Sequence, residues 1–240
     1  MLLAAGLGTR LRPLTDRIPK ALLEIGGVPM LEQVARRLIA AGADRLIINT
    51  HHLGEQIERF VAERENFGVE VRFSREEGAP LETGGGLLRA APHFRRDAPF
   101  FLHNTDILSD LPLREMYEAH LASGALATVA VMDRSTSRYL LFDEEGLCGR
   151  TDERKRLEIR ARPAVGAARR LAFGGVHVVS PEIFELITER GAFSILDPYL
   201  RLIGEGHRIL PFRVDGYSWQ DIGKPEQLEQ ARQGVGGRGA

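Results

Sequence analysis

The sequence predicts an α/β protein with a mixed, mainly parallel central sheet flanked by helices and with a small antiparallel addition. In the first half of the chain, short β-rich runs alternate with segments of helical periodicity, which is the pattern of crossover units on a parallel sheet. Several of these runs are almost continuously apolar, as expected of strands that are covered on both faces. The second half is less regular and contains a hairpin pattern, which predicts the antiparallel strands.

Five apolar, β-rich runs are predicted to form the strands of the first half. They are Leu2–Ala5, Arg45–Thr50, Val69–Ser74, Pro99–His103 and Ala127–Met132. In a parallel sheet the carboxyl ends of the strands share one edge, and ligands bind beyond that edge. Residues that follow these runs are therefore candidates for the functional site.

Two helices are predicted between the strands, because apolar residues recur there at helical spacing. The positions that define the first are Leu31, Val34, Leu38 and Ala41, with Gly42 after its end, and those that define the second are Ile57, Phe60 and Val61. Both helices should pack their apolar faces on the sheet.

The second half predicts antiparallel structure. Arg138–Asp143 and Gly146–Arg150 flank Glu144-Glu145 and indicate a hairpin. Leu171–Ser180 is typical of a long strand that is interrupted at Gly174-Gly175, and glycines inside a strand often mark a bulge.

The segment 150–170 is predicted to be a solvated or mobile loop. It holds eight Lys or Arg against three Asp or Glu and has no clear periodicity. An alternative interpretation is a basic flap over an anionic substrate. Residues 1–233 are predicted to form one domain, and the glycine-rich stretch 234–240 is predicted to be a disordered tail.

The composition excludes several classes of protein. The chain has 32 Lys and Arg against 33 Asp and Glu, so it lacks the basic excess of a nucleic-acid-binding surface. Its single cysteine, Cys148, excludes an internal disulfide and a CxxC metal site. No stretch approaches the roughly 18 apolar residues of a membrane span, and the apolar start Met1–Ala5 is too short for a signal peptide. We therefore expect a cytoplasmic protein with no nucleic-acid or membrane partner.

The most informative stretch runs from Leu3 to Thr15, with the sequence LAAGLGTRLRPLT, and continues to Pro19-Lys20. A strand leads directly into a glycine loop, whose backbone N–H groups can approach an anion closely. Arg10, Arg12 and Lys20 add positive charge. The stretch predicts polyphosphate binding, but it is not a Walker A loop, because no Gly-Lys-Ser/Thr follows.

This stretch resembles the leading signature of the sugar nucleotidyltransferases, L-A-A-G-x-G-T-R-L-x-P-L-T followed by P-K. Four further motifs resemble the family in the same order, namely Gly27-Val28-Pro29-Met30, Pro80-Leu81-Glu82-Thr83-Gly84-Gly85-Gly86, Asn104-Thr105-Asp106 and Trp219-Gln220-Asp221-Ile222-Gly223. The Leu-Glu-Thr-Gly-Gly-Gly form, in a short chain without a C-terminal β-helix domain, is most similar to the N-acetylmuramate 1-phosphate uridylyltransferases of peptidoglycan recycling. The resemblance implies a single Rossmann-like domain.

The resemblance also implies a reaction, in which a nucleoside triphosphate and a sugar 1-phosphate give a nucleotide sugar and pyrophosphate. It implies Mg²⁺ as the cofactor, with Asp106 and Asp221 as its ligands. Arg10, Lys20 and Asp106 are the implied catalytic residues. Arg10 would hold the triphosphate and stabilise the departing pyrophosphate, and Lys20 would bridge the α-phosphate and the incoming sugar phosphate.

Further positions match the family's substrate-binding residues. The nucleotide-binding positions are Ala5, Gly6, Gly8, Thr9, Glu82, Thr83 and Gly85, and the sugar-phosphate-binding positions are Asn104 and Gly175. These positions also have purely structural interpretations. The glycine loop could be a tight turn, and residues 84–86 could be a flexible helix start. Asn104 could form an Asx turn, and Gly175 could mark a bulge.

The chain departs from the family pattern at two places near the acceptor. Thr105 replaces the usual glycine beside the metal-binding aspartate, and no clear counterpart of a Glu-Lys pair follows Arg134. We expect UTP and an amino-sugar 1-phosphate such as N-acetylmuramate 1-phosphate as substrates of a monomer or small homo-oligomer. The alternatives are a GDP- or dTDP-sugar pyrophosphorylase, a phosphocholine cytidylyltransferase and a non-catalytic nucleotide-sugar-binding subunit. If the acceptor carries a lactyl carboxylate, Arg138 or the basic segment 150–170 could supply a cation for it.

Overall fold

A computed structural model describes residues 1–236 of the chain and confirms the predicted α/β fold. The strands are β1 (Leu2–Leu3), β2 (Glu24–Ile25), β3 (Val28–Pro29), β4 (Arg45–Thr50), β5 (Glu70–Arg75), β6 (Phe100–Asn104), β7 (Ile107–Ser109), β8 (Ala127–Met132), β9 (Arg138–Asp143), β10 (Gly146–Asp152), β11 (Leu157–Arg160), β12 (Arg169–Val179), β13 (Ile209–Arg213) and β14 (Trp219–Asp221). The helices are α1 (Met30–Ala40), α2 (Gly54–Glu63), α3 (Glu82–Ala90), α4 (Leu113–Ser123), α5 (Ile183–Leu186), α6 (Leu196–Gly204) and α7 (Pro225–Gly236).

The central layer of the sheet runs in the order β5, β4, β1, β6, β12, β8, β13. β12 is antiparallel to its neighbours β6 and β8, whereas the remaining pairs of this layer are parallel. The sheet is therefore mixed and mainly parallel, as predicted. β14 and β7 form a separate antiparallel pair at the carboxyl edge, and β2 pairs with β3.

Helices cover both faces of the sheet, so the central strands read as continuous apolar runs. Neighbouring residues of β4 show this directly, because Leu46 and Ile48 belong to the apolar cluster that contains α1 and α2, whereas Ile47 belongs to the cluster that contains α3 and α6. Among the described residues, no helix is long and apolar enough to cross a membrane.

The antiparallel addition consists of β9, β10 and β11, and it joins the sheet through the first residues of β12. The prediction of a loop for the segment 150–170 is wrong in part. The segment contains the last residues of β10, all of β11 and the first residues of β12. β11 is an edge strand with largely exposed side chains, so its sequence has no apolar periodicity that would predict a strand. Backbone pairing with β10 holds it instead.

The predicted interruption of the long strand is confirmed. The register of β12 against β8 shifts between Phe173 and His177, around Gly174-Gly175. At the end of the chain, α7 extends to Gly236, which lies inside the stretch predicted to be disordered. Residues 237–240 lie outside the described part of the chain, so the tail stays a prediction.

A buried ion pair fastens the antiparallel addition. Both guanidinium nitrogens Nη1 and Nη2 of Arg162 donate to the Asp143 carboxylate, at 2.7 and 2.6 Å, and the Val165 N–H donates to it at 2.7 Å. The Asp143 side chain has no exposed surface. Hydrogen bonds from Arg162 lower the pKa of Asp143 to about 2, with backbone N–H groups and the Arg162 charge acting in the same direction.

We expect Asp143→Asn to lower the free energy of unfolding by about 2–4 kcal/mol, because the change leaves the Arg162 charge without its partner. The carboxylate stabilises the fold above its ordinary pKa, and this contribution is lost as the pH falls toward about 2. Urea denaturation at neutral pH measures the effect. Glu158→Gln removes a solvent-exposed pair with Arg160 and is the control, expected to cost less than about 1 kcal/mol. Equal losses in the two variants would contradict the role given to Asp143.

Candidate active site

A cleft of about 330 Å³ opens beyond the carboxyl ends of β1, β4, β5 and β6. Most of the residues predicted for the site line it, and these are Ala5, Gly6, Gly8, Thr9, Arg10, Lys20, Glu82, Thr83, Asn104 and Asp106. Asp221 lies beside the cleft next to Gly223, which lines it. Gly85 and Gly175 are not among the lining residues.

The glycine loop follows β1 and is folded tightly by its own contacts. Gly8 has φ of +62°, and a Cβ atom there would lie 2.7 Å from Cγ2 of Thr15, so the position requires glycine on both grounds. The Thr15 hydroxyl donates to the Gly8 carbonyl at 2.8 Å. Gly6 has open space around it and is exposed to the cleft. The loop is thus anchored at Gly8 and open at Gly6, as a phosphate-binding loop requires.

Two cations and two carboxylates meet beside this loop. The Lys20 ammonium forms an ion pair with the Asp106 carboxylate. A Cβ atom on Gly223 would lie 2.9 Å from both Nη2 of Arg10 and Oδ1 of Asp221, so the missing side chain leaves room for both groups beside Gly223. The Ile222 N–H donates to the Asp106 carbonyl at 2.8 Å, and Asp221 pairs with Ile107 in the β14–β7 ladder. Asp106 and Asp221 are held next to each other by the backbone.

The electrostatics of Asp221 fit a divalent cation. Burial raises the pKa of Asp221, and the neighbouring Asp106 raises it further, against the opposing effects of Lys20, Arg10 and Arg134. A cation between the two carboxylates would relieve both effects. No cluster of three or more His, Cys, Asp or Glu within residues 1–236 could hold a metal. Two carboxylates completed by phosphate oxygens and water are a typical Mg²⁺ site.

The first residues of α3, together with Pro80 before it, form the opposite wall of the cleft. Glu82 is exposed and Thr83 is half-buried. The Thr83 hydroxyl accepts the Ile195 N–H at 2.9 Å, which leaves its own hydrogen free to donate. Both residues are accessible from the cleft, and their contact with a base stays a prediction.

The glycines at the start of α3 are packing residues. A Cβ atom would lie 2.4 Å from the Phe193 ring at Gly84 and 2.4 Å from the Gly191 carbonyl at Gly85. The N–H groups of both glycines donate to the Phe193 carbonyl. The prediction that Gly85 contacts the base is not supported by its position, because the residue is buried against the chain that precedes α6 and its N–H is already bonded.

A buried polar network, which sequence reasoning missed, links the two walls of the cleft. The Asn49 side chain accepts the Ala4 N–H at 2.7 Å and donates to Oε1 of Glu76 at 2.7 Å. The second oxygen of Glu76 accepts the Leu81 N–H at 2.8 Å. Gly86 has no room for a side chain, because a Cβ atom would lie 2.7 Å from Oε1 of Glu76. We call this network, from Ala4 through Asn49 and Glu76 to Leu81, the brace. Its signal in the sequence is a polar residue at the end of each of two parallel strands.

The residues at the end of β6, around Asn104, form the wall of the cleft beside Asp106. Asn104 lines the cleft, and its Nδ2 atom would be 3.3 Å from a Cβ atom on Gly175. Gly175 has φ of +80° in the bulge of β12 and is buried against Ile107, so it shapes this wall without lining the cleft. Thr105, which stands where the family usually has glycine, lines the cleft but is largely buried, and its hydroxyl donates to the Leu3 carbonyl at 2.8 Å. The substitution therefore ties β6 to β1.

These features define the cleft of an enzyme that binds phosphorylated substrates at the edge of an α/β sheet. The model of the nucleotidyl transferase family matches residues 1–236. An N-acetylmuramate alpha-1-phosphate uridylyltransferase from Neisseria meningitidis is 33% identical over 97% of this chain and 96% of its own length. The chain belongs to the nucleotidyl transferase family, among the sugar-1-phosphate nucleotidyltransferases, as its motifs indicated.

Other relatives are longer and differ in substrate. A mannose-1-phosphate guanyltransferase from Candida albicans is 32% identical over 95% of this chain, and a UTP–glucose-1-phosphate uridylyltransferase from Synechocystis is 31% identical over 98% of it. This chain spans 62% of the length of each. Solved structures share the fold at low identity. A UDP-glucose pyrophosphorylase complexed with UDP-glucose has a TM-score of 0.80 at 21% identity, covering 99% of this chain and 97% of that one.

We expect Glu76→Gln to raise the KM for the nucleoside triphosphate about ten-fold. An amide offers one acceptor oxygen where the brace needs two, so either Asn49 or Leu81 loses its partner. Glu77→Gln alters the same residue type one position later, where the side chain is 80% exposed, and should leave KM within about two-fold. Steady-state kinetics at saturating sugar phosphate compares the variants. An unchanged KM in Glu76→Gln would show that the brace does not position the base-binding loop.

Proposed function

We propose that the chain joins a nucleoside triphosphate to a sugar 1-phosphate and releases pyrophosphate. The observation that carries the proposal is the meeting of the glycine loop, two cations and two carboxylates at one edge of the sheet. The reaction must bring two anions together, and fixed positive charge lowers the barrier to their approach. The family of the chain and the sugar-phosphate substrates named for its relatives support the same reaction.

The chemistry needs no general base. The second pKa of a phosphate monoester lies near 6, so the attacking oxygen is already ionised at neutral pH. That oxygen forms a bond to the α-phosphorus, the bond from this phosphorus to the bridging oxygen breaks, and the electron pair leaves with pyrophosphate. Charge neutralisation and alignment are what the protein must provide.

Arg10 and Lys20 supply the fixed charge. Arg10 is exposed at the mouth of the glycine loop, where it can stabilise the charge that develops on pyrophosphate. Lys20 is largely buried, and its ammonium reaches Asp106 from the loop side. We propose that Lys20 passes from Asp106 to the α-phosphate and the sugar phosphate when substrates bind. Asp106 and Asp221 would hold Mg²⁺, which neutralises phosphate charge when bound.

The remaining residues set orientation. Ala5, Gly6, Gly8 and Thr9 form the phosphate wall, and Glu82 and Thr83 face the base. Asn104 is the residue we assign to the sugar phosphate. Gly85 and Gly175 serve the site indirectly, through the close packing of α3 and through the bulge of β12.

For the substrates, we propose UTP and an amino-sugar 1-phosphate such as N-acetylmuramate 1-phosphate. The relative that matches this chain over nearly its whole length is named for that acceptor, whereas the relatives named for mannose and glucose are longer. The segment Leu81–Gly86 at the start of α3 supports the choice of a pyrimidine base. Its Thr83 hydroxyl has a free hydrogen that it can donate to the base.

We expect Asp106→Asn and Asp221→Asn each to lower kcat at least about a hundred-fold, because each removes a carboxylate proposed to hold the metal. Asp97→Asn, at an exposed carboxylate in the loop before β6, is the matched control and should leave kcat unchanged. Pyrophosphate release measures the rates, and thermal melts check that the variants fold. Full activity in either site variant would contradict the assignment.

The substrate proposal is tested by a matrix of nucleoside triphosphates against sugar 1-phosphates and phosphocholine, with pyrophosphate release as the readout. We expect the highest kcat/KM for UTP with N-acetylmuramate 1-phosphate. A preference for GTP with mannose or heptose 1-phosphate, for dTTP with glucose 1-phosphate or for CTP with phosphocholine would overturn the substrate proposal and leave the reaction class standing. Tight binding of nucleotide sugars without turnover of any pair would contradict the reaction itself.

A further inference from the structure

Arg134 follows β8 and lies on the ring of Trp219, with its Cζ atom 4.4 Å from the ring centroid. The indole N–H of Trp219 donates to the Gly174 carbonyl at 2.8 Å, within the bulge of β12. The ring is therefore fixed to the sheet, and it holds the guanidinium through a cation–π contact.

The position of Trp219 places this cation on the metal side of the cleft. Trp219 and Asp221 are two residues apart on β14, so their side chains project from the same face of that strand. The positive charge of Arg134 is close enough to lower the pKa of Asp221, against the stronger effect of burial. The bulge that anchors the ring also packs against Asn104. The Trp219 ring that carries Arg134 and the Asn104 side chain thus meet neighbouring residues, Gly174 and Gly175, of the same bulge.

The guanidinium is poorly satisfied within residues 1–236. Its Nε atom is buried without a hydrogen-bond partner, and Nη1 makes only a long contact of 3.4 Å with the Ser135 carbonyl. No carboxylate of the described residues is within ion-pair distance of it. A buried guanidinium N–H without an acceptor is costly, and an anionic ligand would satisfy it.

Three of the cations in the basic segment, which was expected from sequence to serve the acceptor, form ion pairs within the antiparallel addition. Arg162 is bonded to the buried Asp143, Arg170 to Glu153, and Arg160 to Glu158. In the basic segment these charges hold the antiparallel addition together.

We propose that Arg134, mounted on Trp219, binds an anionic group of the acceptor substrate. The group is the phosphate monoester or a carboxylate on the sugar, since both are oxyanions that a guanidinium recognises in the same way. This inference rests on the proposed reaction and identifies a cation for its acceptor.

The test compares Arg134→Gln and Arg134→Lys with Arg96→Gln. Arg96 is the matched control, because its Cζ atom also lies over an aromatic ring, that of Phe184 at 4.1 Å, in the loop that leads to the amino end of β6. Two acceptors are used, N-acetylmuramate 1-phosphate and N-acetylglucosamine 1-phosphate, which differ by the lactyl carboxylate. Each is titrated at saturating UTP, and an acceptor that is not turned over is measured by its inhibition constant.

We expect Arg134→Gln to raise the KM or inhibition constant of the acceptor about 10- to 100-fold, with partial recovery in Arg134→Lys and no change in the KM for UTP or in the melting temperature. An equal rise for both acceptors assigns the contact to the phosphate, and a rise for the lactyl sugar alone assigns it to the carboxylate. The inference would be overturned if Arg134→Gln had the same acceptor KM or inhibition constant as Arg96→Gln, or if its KM for UTP rose as much as its acceptor constant. In either case, turnover by the wild-type chain would leave the proposed function intact. A wild-type chain that turns over no substrate pair would contradict the proposed function, and this inference with it.

Discussion

The ion pair between Lys20 and Asp106 is the contact on which the charge balance of the site depends. Asp106 and Asp221 lie side by side because the β7–β14 ladder and the Ile222 N–H hold them there. Two adjacent carboxylates repel each other unless cations lie between or beside them. The loop after β1 brings Lys20 and Arg10 to this point, and the charge of Arg134, at the end of β8, acts on Asp221 from farther away. In such a cluster the cations can move from the carboxylates to phosphate groups while a metal ion takes their place on the carboxylates. The positive and negative charges of the site then stay balanced.

The walls of the cleft are held by close packing. Three consecutive glycines at the start of α3 pack against different neighbours. The first packs against the Phe193 ring, the second against the Gly191 carbonyl and the third against the Glu76 carboxylate. Each contact leaves no space for a Cβ atom, so the helix start is fixed in position. The brace then ties this wall to Ala4 beneath the glycine loop. The distance between the phosphate wall and the base wall is therefore set by buried hydrogen bonds, which suits a site that must align two substrates.

The sequence predicts the sheet and the first two helices well, because strands buried on both faces leave continuous apolar runs and helices packed on one face leave an apolar periodicity. The hairpin is predicted from the two strand-like runs that flank Glu144-Glu145. The sequence also predicts that Arg10, Lys20, Asp106 and Asp221 share one site, because each lies in a motif that resembles the family's. β11 gives no such signal, as its side chains face solvent and its pairing depends on the backbone. The predicted contact of Gly85 with the base is not supported by its position. A glycine that contacts a ligand and a glycine packed against a carbonyl look the same in sequence. The brace depends on side chains from two strands that are far apart along the chain, and only the fold shows that they meet.

We propose that the two aspartates, Arg10 and Lys20 act as one site on two phosphorylated substrates. The most direct test is a crystal structure with Mg²⁺, a non-hydrolysable UTP analogue and N-acetylmuramate 1-phosphate. We expect a metal ion on both Asp106 and Asp221, the terminal phosphates on Arg10, and the Lys20 ammonium on the α-phosphate in place of Asp106. A nucleotide bound in the cleft with Lys20 still on Asp106 and no metal on either carboxylate would contradict this account.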